Sequence, residues 1–114
     1  MSACLFCKIA SGEIPAEVLH HDDDVVAFRD ITPRAPVHFL VVPRRHVRSL
    51  GEAADTDAAL LGKLLLAVRD LAVRQGIDAG GYRVVTNRGA DAGQSVDHLH
   101  FHVLGGRALA WPPG

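Results

Sequence analysis

Residues 98–104 of this chain read His-Leu-His-Phe-His-Val-Leu. Successive side chains of an extended strand point to opposite faces, so this heptad predicts a strand with three histidines on one face. Leu99, Phe101 and Val103 would form an apolar stripe on the other face, which we expect to pack beneath a helix. We therefore predict that residues 98–104 form the last strand and that its histidine face carries the chemistry.

The rest of the chain predicts an α+β domain. A long amphipathic helix is expected over residues 56–75, with Asp55 or Thr56 as its N-cap and Gly76 at its C-terminal stop. Its inward face would be formed by Leu60, Leu61, Leu64, Leu65, Val68, Leu71 and Ala72. Other segments predict one or two helical turns at 4–11 and strands at 18–21, 25–29, 37–42 and 82–86. This order favours an antiparallel β-meander sheet covered by one long helix.

Length and composition narrow the class of protein. The chain has 114 residues, of which 48% are hydrophobic and 22% are charged, and its net charge is -1. These values predict one folded domain over residues 1–114 and argue against disorder, and the charge gives no reason to expect nucleic acid or an acidic membrane as partner. No apolar run approaches the ~18 residues of a membrane span, and Met1–Lys8 lacks the pattern of a signal peptide, so we expect a cytoplasmic protein.

Three interpretations of the histidine row remain open from the residues alone. The histidines could be ordinary half-buried side chains, a metal site, or a nucleophilic site in which one imidazole attacks phosphorus. A single metal shared by all three is disfavoured, because His98 and His102 would lie about 13 Å apart along a strand. The loop Gly93-Gln94-Ser95 precedes the row and offers backbone N–H, amide and hydroxyl donors, which favours the nucleophilic interpretation.

Both cysteines of the chain belong to one Cys-x-x-Cys pair, Cys4 and Cys7. In a reduced compartment this spacing is typical of half a metal site or of a redox pair. The redox interpretation is disfavoured because the usual strand-then-helix setting is missing. The plainest alternative is a pair of thiols on a frayed terminus.

These motifs together resemble the histidine-triad family and, within it, the Hint branch of nucleoside phosphoramidases. The pattern His-φ-His-φ-His-φ-φ, where φ is apolar, carries the resemblance. It extends over Gly93–Val96, Asp30–Pro43, Gly105–Arg107 and Trp111–Gly114. The resemblance implies a two-fold homodimer that binds purine nucleoside monophosphates such as derivatives of AMP and GMP. Asp97 is a departure, since many relatives carry an aromatic or apolar residue there, and we assign it no catalytic role.

The resemblance also implies roles for residues around the triad of His98, His100 and His102. His100 would be the nucleophile, while His102, Gly93 and Gln94 would hold the phosphate. Ser95 would help to protonate the leaving group, or would only satisfy the backbone of its loop.

Further roles concern the nucleotide and the neighbouring strand. Asp30 would accept the ribose hydroxyls, or would only cap the following turn; Ile31 would line the base pocket, and Asn87 would contact the ribose-phosphate. His38 would orient the triad from the neighbouring strand, or would be an ordinary strand histidine. Trp111 would reach the partner's active site, or would anchor the tail on its own subunit.

For the cysteine pair, the resemblance implies a structural zinc ion held by Cys4, Cys7, His46 and His98, a ligand set with all four positions filled. The activity it implies is hydrolysis of the P–N bond of a purine nucleoside phosphoramidate. The alternatives are hydrolysis of dinucleoside polyphosphates or nucleotidyl transfer, an AMP-binding module without turnover, and a small zinc-dependent interaction domain.

Overall fold

The computed structural model describes residues 4–114. The first three residues of Met1–Lys8, the segment that lacks the pattern of a signal peptide, lie outside the described residues. Two helices and five strands are formed: α1 Leu5–Ala10, β1 Val18–His21, β2 Val25–Arg29, β3 Val37–Pro43, α2 Ala58–Arg74, β4 Tyr82–Val85 and β5 Phe101–Gly105. The five strands make one antiparallel sheet in the order β1-β2-β3-β5-β4. The predicted α+β class is confirmed, but β5 inserts between β3 and β4, so the sheet is not a simple meander.

Each face of the sheet carries its own apolar cluster. The face beneath α2 buries alternate residues of the strands together with the inward residues of the helix. On the opposite face the short helix α1 packs Phe6 against Val26, Phe28, Leu40 and Val42. Because alternate residues of β3 belong to different clusters, His38 shares the α1 face with Leu40 and Val42.

The predicted histidine strand is shorter than its alternating pattern suggested. Its ladder begins at Phe101, and the preceding residues 98–100 are not in a strand. The backbone N–H of Leu99 donates to Val47 outside the sheet at 2.6 Å, although β3 continues two residues past the partner of Phe101, to Pro43. Leu99, Phe101 and Val103 still lie in the cluster beneath α2, as the pattern predicted.

Helix α2 confirms its predicted end and corrects its predicted start. A short 3₁₀ turn over Asp55–Asp57 precedes the helix, so the N-cap residue is Asp57 and not Asp55 or Thr56; its carboxylate accepts the Ala54 N–H of that turn at 2.8 Å and does not bond to an N–H of α2. At the other end Gly76 has φ +76, and the Ile77 N–H donates to Ala72 at 3.0 Å, which is the Schellman arrangement.

One residue of the predicted inward face of α2 lies outward. The side chain of Leu65 is 50% exposed, whereas Leu64, Val68 and Leu71 are buried. Within residues 4–114, no helix combines the length and the apolar character that crossing a membrane would need.

Candidate active site

A chain of polar contacts joins Asp30, His38 and His102 on the α1 face of the sheet. His102 of β5 pairs with Leu40 of β3, so His38 lies diagonally across the ladder from it. The two rings meet with His38 Nε2 3.0 Å from His102 Nδ1, and Asp30 Oδ2 lies 3.4 Å from the same His38 nitrogen. The structure thus brings Asp30 and His38 together with His102, which lies 64 positions beyond His38 in the sequence.

The backbone determines which nitrogens of these rings carry protons. The Arg34 N–H donates to His38 Nδ1 at 3.0 Å, so the proton of a neutral His38 is on Nε2. His38 Nε2 then donates to His102 Nδ1, which leaves the proton of His102 on its own Nε2. The chain of contacts therefore makes His102 a hydrogen-bond donor at the ring nitrogen that is not engaged with His38.

Burial keeps these histidines neutral. Burial, together with smaller contributions from the nearby His100 and His38, lowers the pKa of His102 to about 4. Burial also lowers the pKa of His38, against the opposing effect of the Asp30 carboxylate. Neutral rings with fixed tautomers are a requirement for a defined set of donors and acceptors at pH 7.

His100 is held in the tautomer that a nucleophile needs. Its Nδ1 lies 2.6 Å from the carbonyl oxygen of His98, and a carbonyl can only accept, so Nδ1 carries the proton. The lone pair of His100 is then on Nε2. The ring centroids of His100 and His102 are 5.0 Å apart, which puts the nucleophile candidate beside the donor candidate.

A second cluster lies at the end of α1. The ring nitrogen His98 Nδ1 is 3.4 Å from the sulfurs of both Cys4 and Cys7, and His46 Nδ1 is 3.3 Å from Cys7 Sγ. All four ligand atoms lie within 4.8 Å of one another. A tetrahedral zinc ion with ordinary bond lengths would separate sulfur and nitrogen ligands by about 3.5 Å, close to these values.

The tautomer of His98 also fits a metal. Its Nε2 lies 2.7 Å from the Pro43 carbonyl and donates to it, which turns the lone pair of Nδ1 toward the cysteines. Burial lowers the pKa of His98, which favours the neutral ligand form. The residues present therefore fit a closed zinc site.

The group Asp30, His38 and His102 is equally tight but does not fit a metal. Its three ligand atoms also lie within 4.8 Å of one another. However, the Arg34 N–H occupies the Nδ1 lone pair of His38, so a metal on Nε2 would require the doubly deprotonated ring. This group is therefore a hydrogen-bond relay.

Comparisons with known proteins agree with this arrangement. The family model of the HIT domain matches residues 11–109. The chain belongs to the HIT domain family. It is 52% identical over 110 residues to an uncharacterized HIT-like protein from Synechococcus elongatus, with 96% of each chain covered.

Solved HIT structures share the fold closely. The crystal structure of a HIT family hydrolase from Legionella pneumophila is 48% identical, with a TM-score of 0.96 over 97% of this chain and 99% of that chain. A histidine triad nucleotide-binding protein from Candida albicans is 34% identical, with a TM-score of 0.82 over 96% of this chain and 83% of that chain.

In the glycine loop of this HIT domain, the predicted hydrogen-bond donors bond to groups of the protein itself. The N–H groups of Gly93 and Gln94 donate to Ala90 and Gly89 at 3.0 and 3.1 Å. The Gln94 amide accepts from the Gly89 N–H and donates to the carbonyls of Arg48 and Val96. In this conformation Gly93 and Gln94 shape the loop, so a role as phosphate donors would require these bonds to open.

Ser95 lies at the surface, on the cysteine side of the site. Its exposed side chain lines a groove of about 680 Å³ together with Cys4, Leu5, His46, Arg48, Val96 and Asp97. Asp97 lies 3.7 Å from Arg48 across this groove, so the residue that departs from many relatives has a surface ion-pair partner.

The remaining predicted nucleotide residues lie at the edges of the domain. Ile31 is 93% exposed and Asn87 is half-buried. Trp111 is 78% exposed, and the Arg83 guanidinium of β4 lies 5.6 Å from its ring centroid, so within the single chain the tail contacts its own strand. One carboxylate oxygen of Asp30 accepts the Thr32 N–H at 2.8 Å, so Asp30 also caps the turn that follows it.

Sequence reasoning missed two contacts of the nucleophile candidate. The Phe6 ring meets the His100 ring edge-on, with centroids 5.0 Å apart. The Thr86 hydroxyl donates to the His100 carbonyl at 2.8 Å. Phe6 lies between the two cysteines in the sequence. That position indicates that Phe6 belongs to α1, but it does not predict a contact with His100, which is 94 residues away.

Proposed function

We propose that this HIT domain hydrolyses the P–N bond of purine nucleoside 5′-phosphoramidates, such as AMP joined to an amine, through a nucleotidyl group on His100. The observation that carries the proposal is the 2.6 Å bond from His100 Nδ1 to the His98 carbonyl, which leaves Nε2 as the unprotonated nitrogen. The likeness to a Legionella HIT family hydrolase and to a Candida nucleotide-binding protein supports both the reaction type and the ligand class.

In the first step, the lone pair of His100 Nε2 forms a bond to the α-phosphorus while the P–N bond to the amine breaks. The departing nitrogen keeps that electron pair and takes a proton. We propose that this proton comes from solvent and is passed on by the Ser95 hydroxyl. The ring carries a positive charge once Nε2 is bonded to phosphorus. The His98 carbonyl oxygen faces Nδ1–H and stabilises that charge.

In the second step, water attacks phosphorus, loses a proton to solvent and releases the nucleoside monophosphate, so that His100 regains its lone pair. His102 donates its Nε2–H to a non-bridging phosphate oxygen in both steps. His38 acts through His102: its Nε2–H keeps His102 Nδ1 as an acceptor and so keeps the donor of His102 on Nε2.

The nucleoside would lie beside this relay. We propose that Asp30 accepts the ribose hydroxyls, that Asn87 contacts the ribose-phosphate, and that the exposed Ile31 packs against the purine. Two copies of the chain would form a dimer in which Trp111 reaches the partner's site. The exposure of Ile31 and Trp111 supports a surface that another group covers.

Cys4, Cys7, His46 and His98 would hold a structural zinc ion in the reducing cytoplasm. When bound, the ion would stabilise the fold and keep both sulfurs as thiolates. The bond from His98 Nε2 to Pro43 supports this ligand set, because it presents the right nitrogen to the sulfurs.

The experiment that tests the proposal is AMP release from adenosine 5′-phosphoramidate by the wild type and by His100→Ala. We expect turnover by the wild type and a loss of several orders of magnitude in the variant, because the nucleophile itself is removed. Binding of AMP by both proteins without turnover by either would replace the hydrolase with a nucleotide-binding module.

A further inference from the structure

Helix α1 lies directly on the proposed nucleophile. Its one buried residue is Phe6, 5% exposed, and the ring of Phe6 makes edge-to-face contacts with two histidines of the triad. The centroid distances are 5.0 Å to His100 and 6.1 Å to His98, with interplanar angles of 82° and 74°. In the proposed reaction the His100 ring attacks phosphorus, and the backbone carbonyl of His98 fixes the tautomer of that ring.

The contacts of His100 divide into two kinds. The His98 carbonyl accepts from Nδ1 and therefore fixes the ring at one atom only. Packing restricts rotation of the His100 ring about the axis through that nitrogen. The rings of Phe6 and His102 pack against it, each with its centroid 5.0 Å from the His100 centroid. His102 belongs to the polar relay, so Phe6 supplies the apolar wall.

The position of Phe6 is itself fixed by contacts on both sides of it in the first turn of α1. Cys4 and Cys7 flank it, and both sulfurs lie 3.4 Å from the ring nitrogen of His98. Phe28 supports the other side of the ring, with centroids 5.4 Å apart. A helix of only six residues has little stability of its own, so these tertiary contacts hold Phe6 in place.

We infer that α1 is a positioning element for the nucleophile and that Phe6 is the residue through which it acts on His100. This inference rests on the proposed function of His100. Phe6 does not touch the reacting phosphorus; it limits the orientations of the ring so that Nε2 points at the phosphate. Near-attack geometry is sensitive to small displacements, and a misplacement of about 1 Å can cost roughly 10²-fold in rate.

The chain offers a matched control for the test. Phe39 is fully buried, as Phe6 nearly is, but it lies in the cluster beneath α2, on the opposite face of the sheet. The substitutions Phe6→Leu and Phe39→Leu remove similar ring volume from a buried cluster. They should lower the free energy of unfolding by similar amounts, and each remains a hydrophobic replacement that its cluster can accommodate.

The measurement is the single-turnover rate of adduct formation at saturating adenosine 5′-phosphoramidate, with the AMP dissociation constant measured separately. We expect Phe6→Leu to slow adduct formation about tenfold relative to Phe39→Leu. In ¹⁵N-histidine spectra we also expect the His100 ring signals to broaden only in Phe6→Leu, because the ring then takes more orientations, while the Nδ1–H tautomer persists in both variants.

Equal rates and equally sharp His100 ring signals in the two variants would overturn the inference, because Phe6 would then be only a core residue. A wild type that forms no adduct would instead overturn the proposed function. The two failures are therefore distinguishable in one set of experiments. If both variants prove too unstable to assay, Phe6→Met and Phe39→Met, which keep more side-chain volume, are compared in the same way.

Discussion

The hydrogen bond from His100 to the His98 carbonyl makes two neighbouring histidines chemically unlike. His98 points Nδ1 at the cysteine sulfurs, whereas His100 donates from Nδ1 to the backbone and has its lone pair on Nε2. His102 differs again, because its Nδ1 accepts from His38. Three identical side chains thus take three roles, and the partner of each Nδ1 decides which.

The relay through His38 should affect the rate of reaction more than substrate binding. In His38→Ala the proton of His102 is no longer held on Nε2, and we expect kcat to fall about tenfold, less than the roughly 10²-fold lost with an oxyanion donor itself. His38→Gln keeps a side-chain donor and should recover part of the loss. Steady-state kinetics of both variants, with the exposed His21→Ala as control, measure this.

A change confined to KM in His38→Ala, or no difference between the Ala and Gln variants, would contradict the relay.

Residues that determine this chemistry were predictable to different degrees. The triad and His38 could be identified because their pattern is local or belongs to a resemblance. The contact of Phe6 with His100 could not, because it depends on how α1 lies on the sheet. The use of the Gln94 amide inside its own loop was also hidden, since a glycine-rich loop is compatible with both internal and ligand hydrogen bonds.

At the scale of elements, α1 owes its position to the cysteine cluster. We predict that the purified protein carries about one zinc ion per chain, and that Cys4→Ser and Cys7→Ser lose it because each removes a thiolate ligand. Removal of the metal should lower the free energy of unfolding by about 3 kcal/mol at metal concentrations well above the dissociation constant. Elemental analysis and urea unfolding measure the two effects.

The exposed Leu5→Ala on the same helix should keep the metal and serves as control. Metal-free wild type, or cysteine variants that retain full occupancy, would contradict the ligand set.

The end of α2 gives a prediction about stability alone. Gly76 adopts φ +76, which costs an L-residue roughly 1–2 kcal/mol, whereas Gly80 has no such φ, and neither has a neighbour within 4 Å of an added Cβ. We expect Gly76→Ala to lower the free energy of unfolding by about 1 kcal/mol and Gly80→Ala to leave it nearly unchanged or slightly higher. Urea unfolding of the two variants compares them directly, and equal stabilities would contradict the Schellman assignment.

The start of β5 and the buried face of α2 are two features that the sequence patterns did not predict correctly. The apolar stripe of Leu99, Phe101 and Val103 was predictable because burial requires it, yet the ladder begins only at Phe101. Alternation reports which side chains are buried, whereas a ladder also needs backbone hydrogen bonds between strands, and the Leu99 N–H donates to Val47 outside the sheet instead. Leu65 was misplaced for a similar reason: helical spacing alone does not give the width of the face that the sheet covers.

At the scale of the whole molecule, the buried histidines make stability depend on pH. Burial lowers the pKa of His102 to about 4, below its ordinary value of about 6.5. Between these values the unfolded chain binds a proton that the folded chain does not. Stability from this group is therefore complete above about pH 6.5 and is lost as the pH falls toward 4, on the order of 2 kcal/mol.

Urea unfolding at several pH values between 7 and 4 measures this slope. The His102→Gln variant has no titrating ring at that position. Its free energy of unfolding should therefore fall less steeply with decreasing pH than that of the wild type, by the slope that one bound proton contributes. Identical slopes for the wild type and the variant would contradict a neutral His102 in the folded protein.

A covalent bond between His100 and the nucleotide can be detected by mass spectrometry of quenched enzyme. Enzyme mixed with adenosine 5′-phosphoramidate is quenched within the first turnover, and its intact mass and the modified peptide are determined. We predict an added AMP on His100 in the wild type and none in His100→Ala. An adduct on another residue, or turnover by the wild type with no adduct at any quench time, would contradict the account.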